Sequence, residues 1–264
     1  MERDPHSHKG ENGKVAIIGG SIPMHGAPLF AALAAEASGA DLIYVFVPQC
    51  HADIAKQQSL NFQVHPFAGD ELTKKDLPMI LELLATMDSA VVGPGLDRSA
   101  ATLKVIAEMI AAAPCPLVLD ASALQPGTPD LAAGKNCILT PHEGELERMG
   151  IRPGDIAQVA KQHQLTILFK GPIDRIAHPD GTIEEVAGGN PGLTVGGTGD
   201  ALAGLTAGLL AQHIPAVDAC RIASKTIKSA GDELAKTYGH AYGTRRVIEM
   251  IPTMLMTASA QPSR

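Results

Sequence analysis

The chain has 264 residues, a formal net charge of −7 at pH 7, 45% hydrophobic residues, 27 glycines and 19 prolines. This composition is typical of a turn-rich globular protein and unlike that of disordered chains. The acidic balance argues against nucleic acid as a partner, and no apolar run reaches the roughly 18 to 20 residues of a membrane helix. The polar first residues do not resemble a signal peptide, so we expect a cytoplasmic protein with no membrane partner.

Short apolar runs alternate with longer amphipathic stretches over the first two thirds of the chain. The predicted strands are 14–19, 41–47, 89–93, 116–121, 136–140 and 165–171. The predicted helices are 27–39, 74–87, 100–113 and about 155–163. Strands this apolar on both faces, separated by helices, predict a mostly parallel sheet covered on both sides. We therefore expect an α/β fold in one domain, 1–264, with flexible tails at 1–13 and 259–264.

The pattern changes after residue 171. Residues 173–188 predict two short strands joined at the turn PDG, as in a hairpin. A glycine-rich segment then leads into three predicted helices, at about 199–212, 215–238 and 244–257. Because ligands of open α/β sheets bind beyond the carboxyl ends of the strands, we expect the functional site in the segments that follow strands.

Six such segments carry glycine, a carboxylate, His or Lys. They are GGSIPMHGAP (19–28), GPGLD (93–97), DAS (120–122), TPHEGE (140–145), KGPID (170–174) and GGTGD (196–200). Each also has a structural interpretation: a cap or strand-end acid for Asp120, a surface residue for His142, a solvated lysine for Lys170 and a turn residue for Asn190. The coincidence of all six is what indicates a site.

The four cysteines, Cys50, Cys115, Cys137 and Cys220, are widely scattered and include no C-x-x-C pair. This spacing predicts neither a zinc site nor a disulfide framework. We expect four reduced thiols, most of them buried.

Residues 190–205, NPGLTVGGTGDALAGL, place five glycines around one acid, Asp200. A glycine-rich loop that leads into a helix exposes backbone N–H groups and the positive end of the helix dipole, which favours anion binding. Asp200 either caps that helix or acts as a general base, taking a proton from a hydroxyl while the amides hold the phosphoryl group under attack. The segment matches neither a P-loop nor the G-x-G-x-x-G fingerprint, so a different nucleotide-binding fold is expected.

The segments NPGLTVGGTGDALAGLTAGLLAQ, TPHEGE, GPGL and KGPID together resemble the ADP- or ATP-dependent NAD(P)H-hydrate dehydratase family. The resemblance runs from residue 19 to residue 252, and GGTGD with its preceding NPG is its most specific part. It implies a ribokinase-like fold, which is a three-layer α/β/α sandwich with a mostly parallel central sheet. It also implies a homo-oligomer, expected to be a tetramer.

Members of this family repair nicotinamide cofactors whose ring has taken up water to give a 6-hydroxy derivative. Hydroxide is a poor leaving group, so the family phosphorylates that hydroxyl from ADP or ATP, and the ring nitrogen then expels phosphate. The resemblance implies that Asp200 is the base on the 6-hydroxyl. It gives the amides of Gly197, Thr198 and Gly199 the role of an anion hole for the transferred phosphoryl group.

The resemblance also implies which residues contact each ligand. The nucleotide site would be lined by Lys170, Gly171, Pro172, Ile173, Asp174, Asn190 and Gly199. The hydrated NAD(P)H would contact Ala27, Gly95, His142 and Asp200. A Mg²⁺ ion would be held through water by Glu143 or Glu145, because hard cations shared with phosphates take few direct protein carboxylates.

The chain departs from the family pattern around the expected substrate pocket. The departures are Met24 and His25, Asp97 in place of the usual glycine, Ser122 in place of a second Asp, and Thr244, Arg245 and Arg246 in place of a small-Ser-Asp pattern. They affect the identity of the substrate more than the phosphoryl chemistry.

Two alternatives to the dehydratase stay open. One is a small-molecule kinase of the same fold, acting on a vitamin-precursor alcohol or a sugar and accumulating a stable phosphorylated product. The other is a nucleotide-binding sensor without turnover, which would tolerate the loss of Asp200. TPHEGE favours the dehydratase over the kinase, and the presence of Asp200 disfavours the sensor.

Overall fold

A computed structural model describes residues 3–259 of the chain, and a sheet of nine strands forms the centre of that part. The strands are β1 (Lys14–Ile18), β2 (Leu42–Val47), β3 (Phe62–Pro66), β4 (Ser89–Val92), β5 (Leu117–Leu119), β6 (Cys137–Leu139), β7 (Thr166–Phe169), β8 (Asp174–Ala177) and β9 (Ile183–Val186). Their order is β3-β2-β1-β4-β5-β6-β7-β8-β9. The first seven in this order are parallel, and β8 and β9 add an antiparallel hairpin.

Helices cover both faces of the sheet. They are α1 (Gly26–Ala37), α2 (Ala52–Gln58), α3 (Leu77–Leu84), α4 (Ala100–Ala112), α5 (Thr128–Ala132), α6 (Glu143–Arg148), α7 (Ile156–His163), α8 (Thr198–Ala211), α9 (Ala216–Tyr238) and α10 (Thr244–Ser259). Alternate residues of β1 belong to different cores: Val15 and Ile17 to the one that includes α1, α8, α9 and α10, and Ala16 and Ile18 to the one that includes α3, α4 and α7. The predicted three-layer sandwich with a mostly parallel sheet is therefore confirmed.

Helices α1 and α8 approach each other at backbone distance because small residues face each other. A Cβ atom added at Gly204 would overlap the backbone of Ala31, and one added at Gly208 would overlap the side chain of Ser38. Glycine is required where two backbones come this close. This packing fixes the first turn of α8, and with it the glycine-rich loop, against α1.

Four elements escaped the sequence analysis. β3 is an edge strand of mixed polarity whose residues after Phe62 are only half-buried, so it lacks the apolar run that identifies a central strand. The helices α2, α5 and α6 have five to seven residues each, too few to show a helical periodicity. The predicted strand 165–171 ends at Phe169, because Lys170 already belongs to the site loop.

The carboxylate of Asp41 makes several of the contacts between the segment before β1 and the body of the protein. Asp41 accepts hydrogen bonds from the backbone N–H groups of Gly10 and Asn12 and forms an ion pair with Arg3 at 3.3 Å. The flexibility expected of residues 1–13 stays a prediction, and residues 260–264 of the expected C-terminal tail lie outside the described residues.

The described part of the chain contains no helix that combines the length and apolarity needed to cross a membrane. Its four cysteines are free thiols: Cys137 and Cys220 are buried, Cys115 is half-buried and Cys50 is exposed. Burial raises the pKa of Cys115 to about 12 and that of Cys137 to about 11, which keeps both thiols protonated and unreactive at neutral pH.

Candidate active site

The segments that follow the strands lie side by side along the carboxyl edge of the sheet. The N–H of Gly20 after β1 donates to the carbonyl of Pro94 after β4, at 2.9 Å. The N–H of Lys170 after β7 donates to the carbonyl of Pro141 after β6, at 2.8 Å. The strand order β1-β4-β5-β6-β7 places these exits next to one another. The structure thus brings the predicted segments to one edge.

The glycine-rich loop enters α8 through a backbone conformation that suits glycine. Gly197 has φ +96° and is the N-cap of α8, and a Cβ atom there would overlap the ring of Phe30. The first backbone bond of the helix runs from the N–H of Ala201 to the carbonyl of Gly197, at 2.9 Å. The N–H groups of Thr198, Gly199 and Asp200 therefore have no acceptor within the helix, while that of Thr198 makes a long contact of 3.4 Å with the carbonyl of Val195. Free amides at a helix N-terminus are what an anion site requires.

A cluster of charged side chains surrounds this helix end. The ammonium of Lys170 lies 2.7 Å from Oδ1 of Asp120 and 3.5 Å from Oε2 of Glu145. Asp120 also accepts a hydrogen bond from Oγ1 of Thr140 at 2.8 Å. The Nζ atom of Lys170 lies 3.3 Å from the place where a Cβ of Gly199 would stand, so the ammonium faces the first turn of α8. Since its side chain is only 16% exposed, Lys170 is not the solvated lysine of the structural alternative.

Asp200 is a half-buried acid in the first turn of α8, at its third residue rather than at the N-cap. Burial raises the pKa of Asp200 to about 7, the charge of Asp120 adds to this rise, and Lys170 opposes it. Burial alone would lower the pKa of Lys170, but Asp120 and Glu145 outweigh it and the pKa is raised. A carboxylate with a pKa near neutrality, beside a permanent cation, has the properties of a general base.

A cleft of about 670 Å³ opens next to this cluster. Its lining includes most of the residues predicted to bind the nucleotide: Lys170, Gly171, Pro172, Asp174, Asn190 and Gly199. Thr198 and His142 also line it, whereas Ile173 lies outside the lining and is 48% exposed. One wall is apolar, formed by Leu193, Val195, Leu202 and Ile227. The volume and this mixture of surfaces are typical of small-molecule sites.

Two residues of α9 that sequence reasoning missed hold the KGPID loop in place. Ser224 donates to Oδ2 of Asp174 at 2.6 Å, while Oδ1 of Asp174 accepts the N–H of Gly171 at 2.9 Å. The ammonium of Lys228 donates to the carbonyls of Gly171 at 3.2 Å and Pro172 at 3.0 Å. Asp174 thus shapes the loop from within. The available signal was a lysine on the apolar stripe of α9, four residues after a serine on the same face.

The predicted magnesium residues differ in environment. Glu145 is buried and forms a capping box with His142, in which its Oε2 accepts the backbone N–H of His142 at 2.9 Å. The same oxygen lies near Lys170, whereas Glu143 is exposed. Within residues 3–259 no group of three or more His, Cys, Asp or Glu side chains is arranged to hold a metal. Binding of Mg²⁺ through water at Glu143 or Glu145 stays a prediction.

Two of the predicted substrate residues, Ala27 and Gly95, lie together at the start of α1. Gly95 has φ +69°, and a Cβ atom there would lie 2.9 Å from the carbonyl oxygen of Met24 and 3.2 Å from Cβ of Ala27. Both Gly95 and Ala27 lie outside the lining of the cleft, whereas His142 is part of it. Contact of Ala27 and Gly95 with a substrate stays a prediction.

The departures from the family pattern have identifiable local roles. Asp97 accepts the N–H of Ser99 at 2.7 Å, just before α4. Ser122 is buried and donates to the carbonyl of Leu96 at 2.7 Å. Met24 is 50% exposed, and His25 stacks at a tilt against His51 with ring centroids 5.5 Å apart. These four residues shape the loops after β1, β4 and β5, whereas Thr244, a further departure, donates to the carbonyl of Gly196 in the glycine-rich loop.

Comparison with protein families agrees with this site. A family model described as NAD(P)H-hydrate dehydratase matches residues 15–253. The ADP-dependent (S)-NAD(P)H-hydrate dehydratase of Cenarchaeum symbiosum is 36% identical over 94% of this chain and 90% of that protein. The bifunctional NAD(P)H-hydrate repair enzyme Nnr of Methanothermobacter thermautotrophicus is 35% identical over 96% of this chain, but the chain spans only 51% of that longer protein.

Solved structures show the same fold. A ribokinase-like superfamily protein from Enterococcus faecalis has a TM-score of 0.86 and 26% identity, covering 99% of this chain and 93% of that one. The ADP/ATP-dependent NAD(P)H-hydrate dehydratase from Bacillus subtilis, co-crystallized with ATP/Mg²⁺, has a TM-score of 0.76 and 25% identity, covering 97% and 93%. The predicted ribokinase-like fold is confirmed, and the matches favour the dehydratase over the small-molecule kinase.

Proposed function

Since the chain belongs to the NAD(P)H-hydrate dehydratase family, we propose that it uses ADP or ATP to dehydrate hydrated NAD(P)H and so restores the reduced cofactor. The observation that carries this proposal is the position of Asp200. This acid lies in the first turn of α8, next to Lys170 and beside a cleft of nucleotide size. A base, a cation and a row of helix-end amides are the groups that phosphoryl transfer to a hydroxyl needs.

The first step is phosphorylation of the 6-hydroxyl. Asp200 takes the hydroxyl proton, the hydroxyl oxygen bonds to the terminal phosphorus of the nucleotide, and the bond from that phosphorus to the bridging oxygen breaks, releasing AMP or ADP. The amides of Gly197, Thr198 and Gly199 receive the charge of the transferred group, and Lys170 stands beside them. A positioned base of this kind contributes on the order of 10² to 10⁴ in rate.

The second step is elimination of phosphate from the ring. The lone pair of the ring nitrogen forms a double bond to C6 as the bond from C6 to the phosphate oxygen breaks. Loss of a proton from C5 then restores the reduced nicotinamide ring. The sum of both steps converts hydrated NAD(P)H and ATP into NAD(P)H, ADP, inorganic phosphate and a proton, and ADP gives AMP in the same way.

The cleft supplies the nucleotide site in this proposal. Its apolar wall of Leu193, Val195, Leu202 and Ile227 suits a purine base, and the loop that begins at Lys170 suits the phosphates. Oε2 of Glu145 is engaged by Lys170 and by the N–H of His142, and no step is assigned to Mg²⁺. The proposal also includes a Mg²⁺ ion bound through water at Glu143 or Glu145, and a cytoplasmic location. We further propose that the protein is a homotetramer, and light scattering measures this oligomeric state.

The test is to incubate the protein with Mg²⁺ and hydrated NADH, adding ADP, ATP or neither. We expect nucleotide-dependent recovery of reduced-nicotinamide absorbance together with equimolar phosphate, abolished in Asp200→Asn. Asp180→Asn, at the exposed hairpin turn, is the matched control and keeps full activity. Nucleotide consumption without phosphate release would indicate the kinase instead. Nucleotide binding without turnover, unchanged in Asp200→Asn, would indicate the sensor.

A further inference from the structure

The short connection between α9 and α10 contacts both ends of the glycine-rich segment. Residues 242–244, here named the clasp, precede and begin α10. One clasp residue contacts Asn190, at the start of the segment, and another contacts Gly196, just before the helix. In the proposed function, the first end of this segment contributes to nucleotide binding and the second end leads into the amides that receive the phosphoryl group.

Tyr242 fixes the nucleotide end of the segment. Its hydroxyl donates to Oδ1 of Asn190 at 2.7 Å, and the same oxygen accepts the N–H of Gly192 at 3.0 Å. The Tyr242 ring packs against Gly192 so closely that a Cβ atom there would lie 2.6 Å from it. Tyr242 is 5% exposed. The orientation of the Asn190 amide in the cleft therefore depends on a buried hydroxyl outside the cleft lining.

Thr244 fixes the phosphoryl end of the segment. Its Oγ1 donates to the carbonyl of Gly196 at 2.8 Å and lies 3.4 Å from Oγ1 of Thr198. Thr244 is buried, whereas Gly196 is exposed and a Cβ atom there would meet no heavy atom within 4 Å. The peptide that leads into the anion hole is thus open on its side-chain face and is held through its carbonyl by Thr244.

We propose that the clasp is the positioning element of the active site, with its two hydroxyls serving separate steps. Tyr242 aligns Asn190 for nucleotide binding. Thr244 sets the place of the amides that receive the phosphoryl group. The inference rests on the proposed function, and it makes Tyr242 and Thr244 positioning residues that act through Asn190 and Gly196.

Because Tyr242 is assigned to nucleotide binding and Thr244 to phosphoryl transfer, substitutions at the two residues should change different kinetic parameters. Tyr242→Phe and Thr244→Val each remove one hydroxyl and leave a side chain of similar shape, so the loss of the hydrogen bond is the main change. A purely structural role would lower the thermal midpoint and change all kinetic parameters together. The proposed role instead predicts an effect on nucleotide binding in one variant and on kcat in the other. A displacement of about 1 Å at reacting groups costs up to about 10² in rate without weakening the binding of distant groups.

The experiment compares nucleotide KM, kcat and ADP affinity by calorimetry in the full chain and its variants. We expect Tyr242→Phe to raise the nucleotide KM and the Kd for ADP about 3- to 10-fold with little change in kcat. Thr244→Val should lower kcat about 10- to 100-fold with the Kd for ADP changed less than about twofold, and Thr244→Ser should restore most of the rate.

The controls remove equivalent hydroxyls elsewhere. Tyr238→Phe removes an exposed hydroxyl of α9 that accepts from Arg246, and Thr86→Val removes an exposed hydroxyl that donates to the carbonyl of Leu83. The inference would be overturned if the clasp variants changed the kinetics no more than these two controls do. It would also be overturned if each clasp variant changed KM and kcat by the same factor. An inactive wild-type protein would instead count against the proposed function. In that event an unchanged ADP affinity in Tyr242→Phe still overturns the clasp.

Discussion

The ammonium of Lys170 lies 2.7 Å from the carboxylate of Asp120, a residue that is 2% exposed. Asp120 holds Lys170 at the sheet edge, where the ammonium also approaches Glu145 and the first turn of α8. Two carboxylates thus pair with one ammonium, and Asp200 is close enough for its charge to interact with theirs. Burial raises the pKa of Asp200, and the negative charges of Asp120 and Glu145 add to this rise, while Lys170 opposes it.

The first prediction is a pH profile with its acid limb near neutrality. The pKa of Asp200 is raised to about 7, and a general base must be deprotonated, so kcat/KM falls as pH decreases below about 7. Asp120→Asn removes a charge that raises this pKa, so the limb moves to lower pH in that variant even where the maximal rate is reduced. Initial rates of phosphate release across pH measure both. A limb that stays in place in Asp120→Asn would contradict the assignment of Asp200 as the titrating base.

The second prediction concerns the stability cost of the same acid. The folded pKa of Asp200 is above its unfolded value of 3.8, so the native state binds more protons and stability is lost as pH rises from about 4 to about 7. Asp200→Asn removes this effect, so at pH 8 its free energy of unfolding exceeds that of the wild type by on the order of 1–2 kcal/mol, which is seen as a higher denaturant midpoint. At pH 4 the difference disappears. Denaturant titrations at the two pH values measure it, with Asp180→Asn as the exposed control; a gain that is independent of pH would point to packing instead.

The sequence was sufficient to predict the acid and its glycine-rich loop, because GGTGD is a local pattern whose chemistry follows from backbone geometry. It was also sufficient for the edge of the sheet at which the exits meet, since parallel strands share their carboxyl ends. The pairing of Asp120 with Lys170 could not be predicted from the sequence. These residues are 50 apart in the chain, and only the order β5-β6-β7 brings them together.

The α9 residues illustrate the same limit. Lys228 and Ser224 belong to a long helix in which buried and exposed polar residues alternate, so their spacing alone does not identify Lys228 as a buried lysine. Their partners, in the KGPID loop, follow a strand about 50 residues earlier in the chain. A lysine can be buried only where the fold places carbonyl groups around its ammonium. Because those carbonyls come from distant parts of the chain, the burial of Lys228 could not be predicted from its local sequence.

The third prediction is that Lys228 stabilises both the fold and the nucleotide site. Lys228→Met removes the donor to the carbonyls of Gly171 and Pro172 and a cation 3.6 Å from Asp174. A buried carboxylate that loses its partner costs about 3 kcal/mol, so the denaturation midpoint falls and ADP affinity weakens. Lys236→Met, which removes an exposed lysine paired with Glu233, is the control and changes neither quantity measurably. Equal midpoints in the two variants would show that the Lys228 contacts contribute nothing net.

The fourth prediction tests why the loop requires glycine at position 197. Gly197→Ala meets two obstacles, a φ of +96° and the ring of Phe30, whereas Gly181→Ala at φ +91° meets only the flexible side chain of Lys161. Left-handed backbone alone costs about 1 kcal/mol in either variant. The collision with Phe30 adds to this cost only at 197 and displaces the anion hole, so we expect kcat to fall about 10²-fold there and to stay unchanged in Gly181→Ala.

Adding Phe30→Ala to Gly197→Ala makes room for the new methyl group and should recover part of the lost rate, although Phe30→Ala alone lowers stability. If the double variant is no faster than Gly197→Ala, backbone strain and not the aromatic ring is the reason for the glycine.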